Sequence, residues 1–147
     1  MKIAICDDEK KLRKDLRHLL ELHLDLKGIP YEIQEYESGD ALLKDEHKED
    51  IQLLFLDIEM PGKGGMETAH GLRDANLKML IIFVTAYPDY VFQGYEVQAF
   101  HYILKPYQET KLRDVLDRAL TELNALAEQY YLIEQKSQTL RLNLRSV

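Results

Sequence analysis

The sequence has a single cysteine, no apolar run long enough to cross a bilayer and no excess of basic residues. One cysteine, Cys6, excludes an internal disulfide. Cys6 lies inside a short apolar run, where a small buried hydrophobe is the ordinary role. A membrane helix needs about 20 consecutive apolar residues, and no stretch comes near that length. The opening Met1-Lys2-Ile3-Ala4-Ile5-Cys6 is too short for a secretory h-region and has no small-residue cleavage site after it. Without such a signal, and with so little cysteine, the expected compartment is the cytoplasm and no membrane partner is expected. The formal charge of −7 argues against a surface that grips DNA unaided. It suits a site that gathers carboxylates around a cation. No internal repeat and no low-complexity stretch interrupts the chain.

What is present is an alternation of short apolar runs with longer amphipathic segments. Ile3–Cys6, Leu53–Leu56 and Leu80–Val84 are too short for helices, and each stops at a polar residue: Asp7, Asp57 and Thr85. Runs of this kind read as parallel strands covered on both faces. Tyr31–Tyr36 and Phe100–Leu104 are more dilute strand candidates. Between them, helices are expected over Lys10–Lys27, Ser38–Lys44, Gly65–Ala75, a short stretch of Asp89–Val97, and Thr110–Tyr130. Leu112, Leu116, Ala119, Leu123 and Leu126 make one stripe on the last of these. The order βαβαβαβαβα predicts an α/β fold with right-handed crossovers. The apolar strands want the centre and the dilute ones the edges. A flavodoxin-like, doubly wound (βα)5 fold, with a five-stranded parallel sheet in the order 2-1-3-4-5, places them so.

In that order the first and third strands are neighbours, so Asp7, Asp8 and Asp57 crowd one crevice at the carboxyl ends of the strands. Three carboxylates repel and raise one another's pKa, and a hard divalent cation relieves this. Mg²⁺ is the natural candidate, because it takes a few carboxylates and fills its octahedron with water and phosphate oxygens. Thr85 ends the fourth strand with a hydroxyl, and Lys105 ends the fifth with an ammonium. Carboxylates, cation, hydroxyl and ammonium on one rim suit phosphoryl transfer, which depends on positioning and charge neutralisation. Each residue alone has a plainer reading. Asp7-Asp8 could cap a helix. Asp57 with Met60-Pro61-Gly62 could be a bare turn. Thr85 could cap the short fourth helix, Lys105 could be a solvated lysine, and Tyr102 an edge-strand packing residue. The five histidines show no ligand spacing; His18 and His23 do not share a helix face.

Four blocks, however, stand in order at the ends of expected strands: Ile5-Cys6-Asp7-Asp8-Glu9, Leu56 to Gly62, Val84-Thr85-Ala86 and Tyr102-Ile103-Leu104-Lys105-Pro106. Over residues 1–128 the sequence resembles the receiver domains of two-component response regulators. The resemblance implies that Asp57 is the phosphoacceptor. It implies direct Mg²⁺ ligation by Asp8, Asp57 and the main-chain carbonyl of Glu59, with Asp7 acting mostly through water. Thr85 and Lys105 would contact the phosphoryl oxygens, and Tyr102 would turn inward as the Thr85 hydroxyl is drawn to them. A cis peptide is expected at Lys105-Pro106, where the chain turns sharply while Lys105 faces the site. The implied partner is a sensor histidine kinase, docking near the basic start of the first helix (Lys10, Lys11, Arg13, Lys14, Arg17). Phosphorylation is expected to favour a homodimer.

Tyr87-Pro88-Asp89-Tyr90 and Ala99-Phe100-His101-Tyr102 resemble the LytTR-type subgroup, whose receivers precede a mostly β DNA-binding domain. The interval from Thr85 to Lys105 is slightly short, so the fourth helix should be reduced or irregular. Residues 129–147 are expected to be a linker and the start of a truncated LytTR-type domain. Tyr131–Gln135 and Thr139–Arg145 alternate apolar and polar residues and read as a hairpin around Lys136-Ser137-Gln138. DNA would be reached only through that effector domain. Such a protein regulates transcription and is not an enzyme beyond its own phosphorylation and dephosphorylation. Two competing readings are a phosphohydrolase of the haloacid dehalogenase type, which would want Asp-x-Asp on the first strand and a cap domain, and a pseudo-receiver that never takes up phosphate.

Overall fold

The computed structural model describes residues 1–90 and 93–145. Five parallel strands form one sheet in the order β2-β1-β3-β4-β5. They are β1 (Lys2–Cys6), β2 (Glu32–Tyr36), β3 (Leu53–Leu56), β4 (Leu80–Thr85) and β5 (His101–Leu104). The layout follows from composition. Every residue of β3 is buried, as are Ile3 to Cys6 of β1, so these strands occupy the middle. In β2 exposed and buried residues are mixed and in β5 only Ile103 is buried, and both lie at edges. The expected strand order is the one observed.

Among the described residues four α-helices connect or follow the strands: α1 (Lys10–Leu26), α2 (Gly39–Lys44), α3 (Gly65–Asp74) and α4 (Glu109–Arg145). In α1, Leu16, Leu20 and Leu24 recur every four residues and are the buried positions. The helix closes with Gly28 at φ 67°, its N–H bonded to the Asp25 carbonyl and the Ile29 N–H to that of Leu24. This paired ending satisfies carbonyls a helix would leave open. Helix α3 ends the same way, with Asn76 at φ 61° and the Leu77 N–H on the Leu72 carbonyl. The Ser38 hydroxyl caps α2 by accepting from the Ala41 N–H.

Between β4 and β5 the expected short helix Asp89–Val97 is irregular, as the short interval from Thr85 to Lys105 predicts, with 3₁₀ turns at Pro88–Tyr90 and Gln93–Tyr95. Residues 91 and 92, which that helix would have contained, lie outside the described residues. Tyr102 and Arg73 are among the groups that contact the described part of this segment. Gly94 is buried directly beneath the Tyr102 ring, where a Cβ would stand 2.2 Å from the Tyr102 hydroxyl. Arg73, on α3, donates from Nε to the Val97 carbonyl (2.7 Å) and from Nη2 to that of Gln98 (3.3 Å). Its Nη1 also donates to the carbonyls of Leu77 and Met79. A regular helix would have engaged the segment's backbone groups within itself.

The chain divides into two units, residues 1–115 and 116–147. The first contains the whole sheet, and Leu112 and Val115 of α4 are buried in it. In the second unit the backbone stays helical to Arg145, which corrects the hairpin expected over Tyr131–Arg145. Two strands without a sheet leave their outer edges unpaired. A helix closes its hydrogen bonds within the segment, and Glu109–Arg145 has no glycine or proline to interrupt it. Leu126, Tyr130, Tyr131, Leu132, Ile133 and Leu140 are exposed along this part. No described helix is long and apolar enough to cross a membrane.

Candidate functional site

The site forms where β1 and β3 end. The Asp57 N–H donates to the Cys6 carbonyl at 3.0 Å, which places the residue after β3 beside the residue after β1. Asp7, Asp8 and Asp57 each offer an oxygen, and these oxygens lie within 4.8 Å of one another. Asp7 and Asp57 are buried and Asp8 is exposed. The turn after β1 is set by the Glu9 N–H, which donates to Asp7 Oδ1 at 2.9 Å. The turn after β3 repeats the device, with the Glu59 N–H donating to Asp57 Oδ1 at 3.3 Å. Gly65 lets the start of α3 lie against this second turn; a Cβ there would meet the Asp57 carbonyl oxygen at 2.1 Å.

Lys105 reaches in from the end of β5. Its Nζ lies 3.2 Å from Asp7 Oδ2 and 3.6 Å from Asp57 Oδ2, so one ammonium bridges the two buried carboxylates. The Lys105 N–H donates to the Thr85 carbonyl at 2.8 Å, and the Lys105-Pro106 peptide is cis. Burial pushes the Asp57 carboxyl up to about 6; Lys105 works against this, Asp7 and Asp8 add to it, and the Glu59 N–H opposes. A small cavity lined by Asp7, Asp57, Lys105 and Tyr107 opens here.

Thr85 is fully buried, and its Oγ accepts from the Tyr87 N–H at 3.2 Å. Phe83 pairs with Tyr102 and Thr85 with Leu104, so Thr85 and Tyr102 share one face of the sheet at successive positions. The Tyr102 ring lies 5.2 Å from that of Phe83, inclined at 31°, and is half-buried against the core. A hydrogen bond from the Gly94 backbone reaches its hydroxyl.

The structure therefore gathers Asp7, Asp8, Asp57 and Lys105, and sets Thr85 and Tyr102 on the adjoining strands. Three oxygens of hard carboxylates at this spacing fit a small divalent cation, and a buried carboxyl with a raised pKa signals charge still to be balanced. Sequence reasoning missed how the bases beside the site are paired. Arg13 belonged to the expected docking surface, yet its side chain is only 12% exposed and pairs with Glu35. Arg17 also turns to Glu35, at 3.0 Å, which leaves Lys10, Lys11 and Lys14 as the outward-facing bases. Nothing in the spacing of Arg13 and Glu35 along the chain signals that pair.

Comparison with known proteins gives a consistent result. The model of the response regulator receiver domain matches residues 3–117. Sensory transduction protein LytT of Oceanobacillus iheyensis is 36% identical over 118 residues, covering 79% of this chain and 46% of that protein. Transcriptional regulatory protein BtsR of Salmonella typhi is 35% identical over 122 residues, covering 83% of this chain and 49% of that one. The chain thus spans about half the length of these relatives. Among solved structures, the response regulatory domain of protein mrkE from Klebsiella pneumoniae superposes with a TM-score of 0.76 at 30% identity, covering 85% of this chain and 99% of that one.

Proposed function

This chain belongs to the response regulator receiver domain family, and from that premise we propose that it accepts a phosphoryl group on Asp57 from a sensor histidine kinase. The observation that carries the reading is the meeting of Asp7, Asp8 and Asp57 oxygens within 4.8 Å, with Lys105 bridging two of them. Asp7, Asp8, Asp57 and the main-chain carbonyl of Glu59 would hold Mg²⁺. When bound, the cation neutralises charge on the phosphoryl oxygens.

The chain's own residues do the rest. Buried between two hydrogen-bonded turns, Asp57 is held in one orientation and presents a carboxylate oxygen to phosphorus. A phosphorus–oxygen bond forms there as the phosphorus–nitrogen bond of the donor phosphohistidine breaks, and the imidazole nitrogen keeps the electron pair. Lys105 exchanges an Asp57 oxygen for a phosphoryl oxygen, offsetting the negative charge that the phosphoryl group now carries in place of the carboxylate. Thr85 turns its hydroxyl from the Tyr87 N–H toward the phosphoryl group. Tyr102 follows into the space on the same sheet face, which changes the surface around β5. That surface change favours a homodimer and switches a transcription-regulating effector. Residues 129–147 would be the linker and the start of a LytTR-type effector domain, and DNA would be contacted there alone. The protein turns over no substrate other than its own aspartyl phosphate, and its setting would be the cytoplasm.

Acetyl phosphate tests this directly. It should label the protein once, at Asp57, and only when Mg²⁺ is supplied. Asp57→Ala should abolish labelling; undiminished label in that variant, read by mass spectrometry of the intact chain, would overturn the assignment.

A further inference from the structure

The Asp7 carbonyl lies one residue past the last rung that β1 makes with β2. The ladder pairs Cys6 with Tyr36, and the Asp7 N–H still donates to the Tyr36 carbonyl at 3.1 Å, but β2 ends there. In a strand the N–H and C=O of one residue point to the same side, so the Asp7 carbonyl faces a position that the sheet no longer fills. Arg13 fills it. From one turn into α1, its Nη1 donates to the Asp7 carbonyl at 2.7 Å. Its Nε donates to Glu35 Oε1 at 3.2 Å, and Arg17 Nη1 holds Glu35 Oε2 at 3.0 Å. A planar guanidinium fixed at two points has little freedom, and the exposures of the Arg13 and Glu35 side chains are only 12% and 24%.

The carbonyl so held belongs to the peptide that joins Asp7 to Asp8. Asp8 is the exposed member of the three carboxylates, so its placement depends on that peptide more than on packing. We propose that Arg13 is a positioning residue for the cation site: it orients the Asp7–Asp8 peptide and so fixes where the Asp8 carboxylate stands. Glu35 lets it do so without cost to cation binding, because its carboxylate cancels the guanidinium charge beside the site. This rests on the receiver reading of the site.

Geometry and charge make opposite predictions, which makes the proposal testable. Removing a nearby cation would by itself tighten the binding of Mg²⁺. Removing a positioning group weakens it, and weakens it selectively. Mg²⁺ demands near-ideal octahedral placement, whereas Ca²⁺ tolerates variable ligand positions. Calorimetric titration of the whole chain with Mg²⁺ and with Ca²⁺ should show Arg13→Ala raising the Mg²⁺ Kd about tenfold, as loss of an outer-shell partner does, with a much smaller change for Ca²⁺. Labelling by acetyl phosphate should need more Mg²⁺ and then reach nearly the wild-type rate. Arg13→Lys keeps the charge but cannot span Glu35 and the Asp7 carbonyl, so it should also weaken Mg²⁺ selectively. It serves if the alanine variant does not fold. Unchanged or tighter Mg²⁺ binding in a folded variant, or equal weakening for both ions, would overturn the proposal and leave the receiver reading intact. A wild-type chain that binds no Mg²⁺ would instead remove that reading, and the proposal with it.

Discussion

Replacing Asp57 by asparagine should stabilise the metal-free protein near neutral pH. In the fold, burial and the neighbouring Asp7 and Asp8 carboxylates raise the Asp57 carboxyl from its ordinary 3.8 to about 6, against the pull of Lys105 and the Glu59 N–H. A folded pKa above the unfolded one means that the native state holds its proton longer. Stability from this group is therefore full below the unfolded value and falls as pH rises from about 4 to about 6. Above that window the ionised carboxylate costs the fold its full penalty. The shift of roughly two units corresponds to about 3 kcal/mol. Asparagine resembles the protonated acid in shape and lacks the charge. Urea unfolding with a chelator present, followed by far-UV circular dichroism, should show Asp57→Asn more stable by about 2–3 kcal/mol near pH 7 and equal to wild type near pH 4. Adding Mg²⁺ should narrow or reverse the difference, since only the carboxylate binds the cation well and ligation stabilises the native state. An asparagine variant no more stable than wild type near pH 7, or equally stabilised at both pH values, would refute the reasoning.

Gly94→Ala should disturb Tyr102, because the new Cβ would lie 2.2 Å from its hydroxyl. The expected cost is about 1–3 kcal/mol, with an altered near-UV signal as the ring leaves Phe83; an unchanged spectrum and midpoint would contradict this. Reversing Lys10 and Lys14 to Glu should slow phosphoryl transfer from a kinase, where charge steers encounter, and leave labelling by acetyl phosphate unchanged. Equal slowing with both donors would count against docking at this end of α1. Deleting residues 131–147 removes the exposed Tyr131, Leu132, Ile133 and Leu140. It should abolish any phosphorylation-independent self-association seen by sedimentation and spare Asp57 labelling. Association that persists after the deletion would show that residues 131–147 are not its cause and assign it to residues 1–130.

Much of the fold was legible because each strand carries its own environment in its composition. A run such as Leu53–Leu56 has no polar residue to turn toward water, so it belongs in the middle of a covered sheet. The mixed Glu32–Tyr36 run can only be an edge. Such facts separate central strands from edge strands, and the flavodoxin-like order that satisfies them brings Asp7, Asp8 and Asp57 together before any distance is known. What the sequence could not express is the partner of a long polar side chain. Arg13 reads as one more base on a solvated helix, and only the docking of α1 against the end of β2 turns it toward Glu35 and the Asp7 carbonyl. The single-ammonium bridge from Lys105 to Asp7 and Asp57, the burial that raises Asp57, and the seat of Gly94 beneath Tyr102 are of the same kind. The tail shows the limit from the other side. Its alternation suits strands, but a pattern of period two can be realised only where other strands complete a sheet, whereas a helix closes its hydrogen bonds within the segment. Burial preference is local and travels with composition; hydrogen-bond partners are shared between distant segments, and only the packed chain decides them.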